Sequence, residues 1–237
     1  MSPTSLANRR FSTTVARELL VGVTGVMLVG FILMHLSGNL LILLGPDAFN
    51  HYAERLHSLG ELLWVGRLGL FLTFLIHITM AIWLAKDNAG ARGGARYEVE
   101  KPAGRKTFAT RLMTISGGII LIFVLLHVYD FTITGHPTGD RSIVPGMGEE
   151  SLGLYGVVFN SFGNPVRSLL YIIAVWFVGI HLSHAIASVA VTLGFLADKD
   201  TSGAELAARV IGLAVAVGFT TIPLYVMFRT YVFVIGE

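Results

Sequence analysis

Five stretches of this chain are too long and too apolar to serve as ordinary buried helices of a water-soluble core. They cover about 19–44, 62–85, 112–134, 168–197 and 206–235. A hydrocarbon core about 30 Å thick needs about 20 apolar residues of α-helix at a rise of about 1.5 Å each. Each stretch meets that length. Lipid supplies no hydrogen bonds, so each must satisfy its backbone internally as a helix. The expected architecture is all-α: one membrane domain over 1–237, built from five transmembrane helices. The fourth stretch is long, which favours tilt or extension past the lipid.

Composition agrees with lipid as the solvent. Charged residues make up 14% of the chain, against about 25% in soluble domains. No charged, periodic segment is long enough for a separate soluble domain. The chain has no cysteine, which excludes a cysteine-ligated iron–sulfur cluster, a thioether-linked haem and any disulfide within it. The polar N-terminus is followed by an apolar run too long for a signal peptide. The net charge is only +2, and no nucleic-acid partner is expected.

The distribution of charge orients the bundle. The N-terminal segment, the loop after the second stretch and the loop after the fourth carry 12 of the 17 basic residues. The positive-inside rule then places the N-terminus in the cytoplasm and the C-terminus outside. The outer loop 135–165 contains a shorter apolar patch at 151–162, expected to be a helix lying at the interface or capping the bundle. The segment 88–104, rich in Gly, Ala and charge, reads as a mobile loop.

Three of the eight histidines, His51, His57 and His136, fall in loops on the outer side. The other five, His35, His77, His127, His181 and His184, lie inside the stretches. Ionisable groups at such depth are costly and usually mark a site. His35 and His127 come late in outward-running helices and belong to an outer level. His77, His181 and His184 sit on inward-running helices at an inner level, on the order of 10 Å away. A b-type haem takes two axial imidazoles from facing helices, and two levels of paired histidines answer that need. The pairs are His35 with His127 (outer) and His77 with His181 (inner). Depth alone slightly favours His184 over His181. Glycines that would let a ring approach are Gly22, Gly25, Gly30, Gly38, Gly66, Gly69, Gly117, Gly118 and Gly179, with Ala185 on the fourth stretch. A zinc or copper site would need its histidines at one depth. A histidine proton relay in a haem-free transporter is the stronger rival.

The segments GFILMHLSGNLLI, GPDAFNHYAERL, FLIHITMAIWLAKDNAGARGGARYE, ISGGIILIFVLLHVYDF and GIHLSHAIASVAVTLGF carry a resemblance over nearly the whole chain. In order and spacing the chain resembles the cytochrome b membrane anchor of succinate dehydrogenase and fumarate reductase, in its single-subunit, five-helix, di-haem form. That resemblance implies a bacterial-type cytoplasmic membrane and two haem b groups with His35, His77, His127 and His181 as axial ligands. It also implies a flavoprotein partner with FAD and an iron–sulfur partner, with room for a higher oligomer of the complex. Electrons would pass to or from menaquinone or another quinone. On the fourth stretch the family pattern selects His181, through Ala185 and Gly194, with Ala185 standing where the family usually has Gly. His184 would then bond a propionate or a quinone. Other cytochromes b of quinone-linked dehydrogenases share the di-haem plan.

Propionates need cations. Arg17, Arg111 and Lys86 are inner candidates, and Arg67 and Arg167 outer ones, although each can equally snorkel to headgroups. Glu61, in LGELLW beside Trp64, is the candidate for quinone proton transfer, or simply a helix-starting acid. Ser12, Thr14 and Arg17 are weaker candidates for an inner quinone site. The basic inner face offers a docking surface for soluble subunits.

Overall fold

The computed structural model describes residues 14–90, 104–134, 142–144, 147–148, 150–195 and 202–234. Among them every regular element is helical. Helix α1 (Thr14–Leu40) continues through a 3-10 turn at Leu41–Leu44. It is followed by α2 (Pro46–His57) and α3 (Glu61–Gly90). Helix α4 (Gly104–Val128) ends in a π-helical turn at Tyr129–Ile133. Then come α5 (Gly153–Phe162), α6 (Pro165–Thr192) and α7 (Ser202–Arg229), the last with a π-helical turn at Thr230–Val234.

Five of these helices are long and apolar enough to cross a bilayer: Val15–Leu44, Glu61–Asp87, Leu112–Ile133, Pro165–Thr192 and Ser202–Val232. The chain is a multi-pass membrane protein. Large apolar side chains such as Met34, Leu62, Val65, Leu125 and Leu206 are exposed along them. In water such a surface would drive aggregation, whereas in lipid it is solvated.

The boundaries differ from the hydropathy reading where local chemistry overrides it. Helix α6 starts three residues before the expected 168. The Asn164 side chain accepts from the amides of Val166 (3.0 Å) and Arg167 (3.1 Å), and Pro165 fills the first turn, where no amide is needed. The helix stops before the expected 197. Gly194 adopts φ +78°, and its amide bonds Val191 O (3.0 Å) while that of Phe195 bonds Ala190 O (2.9 Å). This is a Schellman stop, hidden from hydropathy because the sequence stays apolar through Ala197. Asn164→Ala is expected to cost about 0.5–2 kcal/mol, read as a lower thermal midpoint in detergent, and Asn164→Ser to restore it.

The segment read as a loop around His51 and His57 is helix α2. Gly45 turns the chain at φ +106°, Pro46 opens the helix, Asp47 sits in its first turn, and Arg55 and His57 occupy its last. That charge order suits the helix dipole. Of the expected loop 88–104, α3 extends to Gly90 and α4 begins at Gly104, and 91–103 lie outside the described residues.

The apolar patch at 151–162 forms α5, which packs into the protein against α2, α6 and α7. Tyr155 and Phe159 are buried with Ile42, Phe49, Phe162, Ile222 and Val226. Asn50 of α2 fixes its start. The Asn50 amide nitrogen donates to Leu152 O (2.9 Å), and its amide oxygen accepts from Tyr155 N (3.0 Å).

Among the spanning helices, α6 and α7 pack most extensively. A methyl group on Gly179 would lie 2.6 Å from Gly212 O and 2.8 Å from Ala216 Cβ, so the two backbones touch, as small residues allow in membranes. Helix α3 packs chiefly on α1, and α4 on α6. The four helices α1, α3, α4 and α6 are thus held around a large internal space rather than a filled core.

A histidine-lined cavity as candidate functional site

That space is a cavity of about 3120 Å³, several times the roughly 300–1,000 Å³ of an ordinary small-molecule pocket. His35, His77, His127, His181 and His184 all line it, as does His57 of α2. His51 instead accepts from Arg55 Nε (2.9 Å). His136 lies outside the described residues.

The structure brings His35 and His127 together from α1 and α4, with ring centres 5.7 Å apart and planes at 85°. An imidazole–metal bond is about 2.0–2.1 Å, so two rings sharing one metal need centres roughly 6 Å apart. A small side-chain adjustment meets that. Phe31, Phe123, Phe131, Tyr171 and Phe219 surround the pair. Nδ1 of His127 is buried and, among the described residues, meets no hydrogen-bond partner. Among the described residues, His35 Nδ1 has only the Asn39 amide nitrogen, at 3.4 Å.

The second level lies farther along α1. His77 of α3 rests against Thr24 and Gly25: its Nδ1 is 3.1 Å from Thr24 Oγ1, and a Cβ on Gly25 would lie 3.5 Å from its ring. His181 of α6 rests in the same way against Ser116 and Gly117 of α4: its Nδ1 is 3.0 Å from Ser116 Oγ, and a Cβ on Gly117 would lie 3.6 Å from its ring. Gly25 precedes His35 by ten residues, about 15 Å along the helix. His184 also lines the cavity, but its Nδ1 donates to Ile180 O on its own helix (2.9 Å). His77 and His181 thus each rest on a hydroxyl–glycine step of a neighbouring helix. Among the described residues, no group of three or more histidines and acids is placed to hold one metal ion.

The glycines divide by what they touch. Gly25 and Gly117 face histidine rings, and Gly22 faces Thr192 and Leu193. Gly38 packs against Tyr52, and Gly179 serves the α6–α7 crossing rather than the cavity. Gly30, Gly66, Gly69 and Gly118 have nothing within 4 Å of an added Cβ.

Of the cations, Arg17 is ion-paired with Asp87 and its guanidinium lies 5.2 Å from the centre of the Trp83 ring. It clasps α1 to α3 and does not line the cavity. Arg67 does line it, stacked on Trp64 at 4.9 Å, and so does Lys86. Arg167 is 3.3 Å from Asp130. For Arg111 and Thr14 the description covers backbone only, and Ser12 lies outside it. Glu61 is exposed in the first turn of α3, where an acid suits the helix dipole. It is absent from the cavity lining, whereas Gly60, Leu63 and Trp64 belong to it.

Sequence reasoning missed Asp130. It lies in the π-helical turn after His127, accepts from Tyr171 Oη (2.8 Å), and pairs with Arg167. The signal was present in LLHVYDF, an acid inside the third apolar stretch, three residues after a histidine.

Comparison with protein-family models, with curated proteins and with solved structures found no match to this chain.

Proposed function

We propose that the chain is the di-haem b membrane anchor of a succinate:quinone oxidoreductase, passing electrons between an iron–sulfur partner and menaquinone or another quinone. The observation that carries this reading is the arrangement of four histidines from four helices, two and two, around one cavity. The cavity volume and the 5.7 Å spacing of His35 and His127 suit two bis-imidazole haems. Bound haem supplies reversible one-electron transfer.

The chain's own residues do the rest. His35 and His127 would hold one group, and His77 and His181 the other. The aromatic rings around His35 and His127 exclude water. Arg67, Lys86 and Arg209 are cavity-lining cations available to propionates, Arg209 also pairing with Glu205. Asp130, paired with Arg167 and hydrogen-bonded by Tyr171, keeps a charge beside His127 without leaving it unpaired in lipid. With the N-terminus cytoplasmic, as the basic loops favour, His77 and His181 lie toward the cytoplasm, where a flavoprotein and an iron–sulfur subunit would dock.

The test is spectroscopic. The purified chain is expected to show a reduced-minus-oxidised haem b spectrum with two haems per chain. Co-purification with a flavoprotein carrying FAD and succinate–quinone activity would separate this reading from other quinone-linked cytochromes b. Absence of any haem signal would leave a histidine relay as the better account.

A further inference from the structure

Helices α1 and α4 carry the same short pattern. Thr24–Gly25 precedes His35, and Ser116–Gly117 precedes His127, each hydroxyl eleven residues before its histidine. Eleven residues make about three helical turns, so hydroxyl and histidine share a face. In both helices the hydroxyl–glycine step receives the histidine of the next spanning helix, His77 on α3 and His181 on α6. The α1–α3 and α4–α6 pairs therefore repeat one device.

The hydrogen bonds give that device a direction. Thr24 Oγ1 donates to Leu20 O at 2.6 Å, and Ser116 Oγ donates to Leu112 O at 2.7 Å. A hydroxyl has one proton. With it spent on the carbonyl, each oxygen can only accept from the imidazole, so Nδ1 must carry the ring proton. A neutral imidazole protonated at Nδ1 leaves the Nε2 lone pair free for a metal. Thr24 and Ser116 are 6% and 1% exposed, so water cannot readily take their place. Among the described residues, His35 and His127 have no equivalent hydroxyl: Asn39 is distant from one, and the other Nδ1 meets no partner.

We infer that Thr24 and Ser116 are paired positioning residues that hold His77 and His181 as Nδ1–H tautomers and present Nε2 to a single haem iron. The inference rests on the haem reading above. Each hydrogen bond raises the basicity of its ligand and so favours ferric iron.

Thr24→Val and Ser116→Ala, made in the full chain, test this by potentiometric titration. Each is expected to shift one haem, the same in both variants, about tenfold toward its reduced form, which for one electron is about 59 mV upward. The other haem should stay where it was. Thr24→Ser and Ser116→Thr should restore the original midpoint, which a purely structural role would not require. Unchanged midpoints, or different haems moving in the two variants, would overturn the inference. Nitrogen-15 NMR of histidine-labelled wild-type chain freed of haem separates this from failure of the haem reading. Nδ1–H tautomers at His77 and His181 are expected with or without haem chemistry, and Nε2–H tautomers would overturn the inference alone.

Discussion

His181→Ala is expected to remove one haem of two and spare the other, while His184→Ala keeps both. The two side chains are three residues apart and both line the cavity, so depth separates them only slightly, and in favour of His184. His184 Nδ1 donates to Ile180 O of its own helix, which leaves its Nε2 as free as that of His181, so the helix that each Nδ1 reaches is what distinguishes them. His181 Nδ1 reaches across to Ser116 on α4 and its ring edge meets Gly117, as His77 meets Thr24 and Gly25 on α1. His77→Ala should therefore give the same spectrum as His181→Ala. The spared haem in both would be the one proposed for His35 and His127, and replacing either of those should remove it instead. Haem per chain, measured as the pyridine haemochrome, falls from two to one in all four single variants. If His184→Ala were the variant that lost haem, the assignment on α6 would be reversed. A loss of both haems from His181→Ala would mean that the two levels do not fill independently.

The five spans were legible because lipid imposes one simple demand, a run of apolar residues long enough to cross, and hydropathy reads that directly. Their ends were not, because caps are set by single side chains and turns. Asn164 and Gly194 define α6 through four backbone amides and two carbonyls, none of which alters mean hydropathy. Helix α2 was missed for a related reason. A short amphipathic helix whose start is fixed by Gly45 and Pro46 looks like a loop when only long apolar runs are sought.

The histidine levels were legible for a different reason. Alternating helix direction turns position in sequence into depth, so His35 and His127 could be matched before any geometry was known, and their rings do meet. What depth cannot supply is rotation about the helix axis and the identity of lateral neighbours. Those decide that Thr24 and Ser116 face histidines, that Arg17 is engaged by Asp87, and that Glu61 stands outside the cavity while Asp130 lies beside His127. The glycines show the same limit. Composition marks them as small, and only the packing tells a histidine cradle at Gly117 from a helix crossing at Gly179.

That distinction gives the second large effect. Gly179→Ala is expected to destabilise the bundle, whereas Gly66→Ala is expected to be neutral or slightly stabilising. Both changes add one methyl group to a spanning helix, and alanine is the better helix former by about 1 kcal/mol. At Gly66 the new Cβ meets nothing within 4 Å, so only that gain remains. At Gly179 it would lie 2.6 Å from the backbone oxygen of Gly212. A backbone atom cannot rotate away, so α6 and α7 must separate. Overpacking of this kind costs about 1–3 kcal/mol, and the fixed neighbour puts Gly179 toward the upper end, roughly a hundredfold in the folding equilibrium. The separation would reach the cavity from both sides. Helix α6 carries His181, and α7 carries Phe219, whose ring lies 5.9 Å from that of His35. Thermal unfolding in detergent should show the loss for Gly179→Ala and for Gly212→Ala, with the Gly66 variant as control. Because each helix supports one wall of a different histidine level, haem content should fall at both levels together, unlike the single-level loss expected from any one histidine variant.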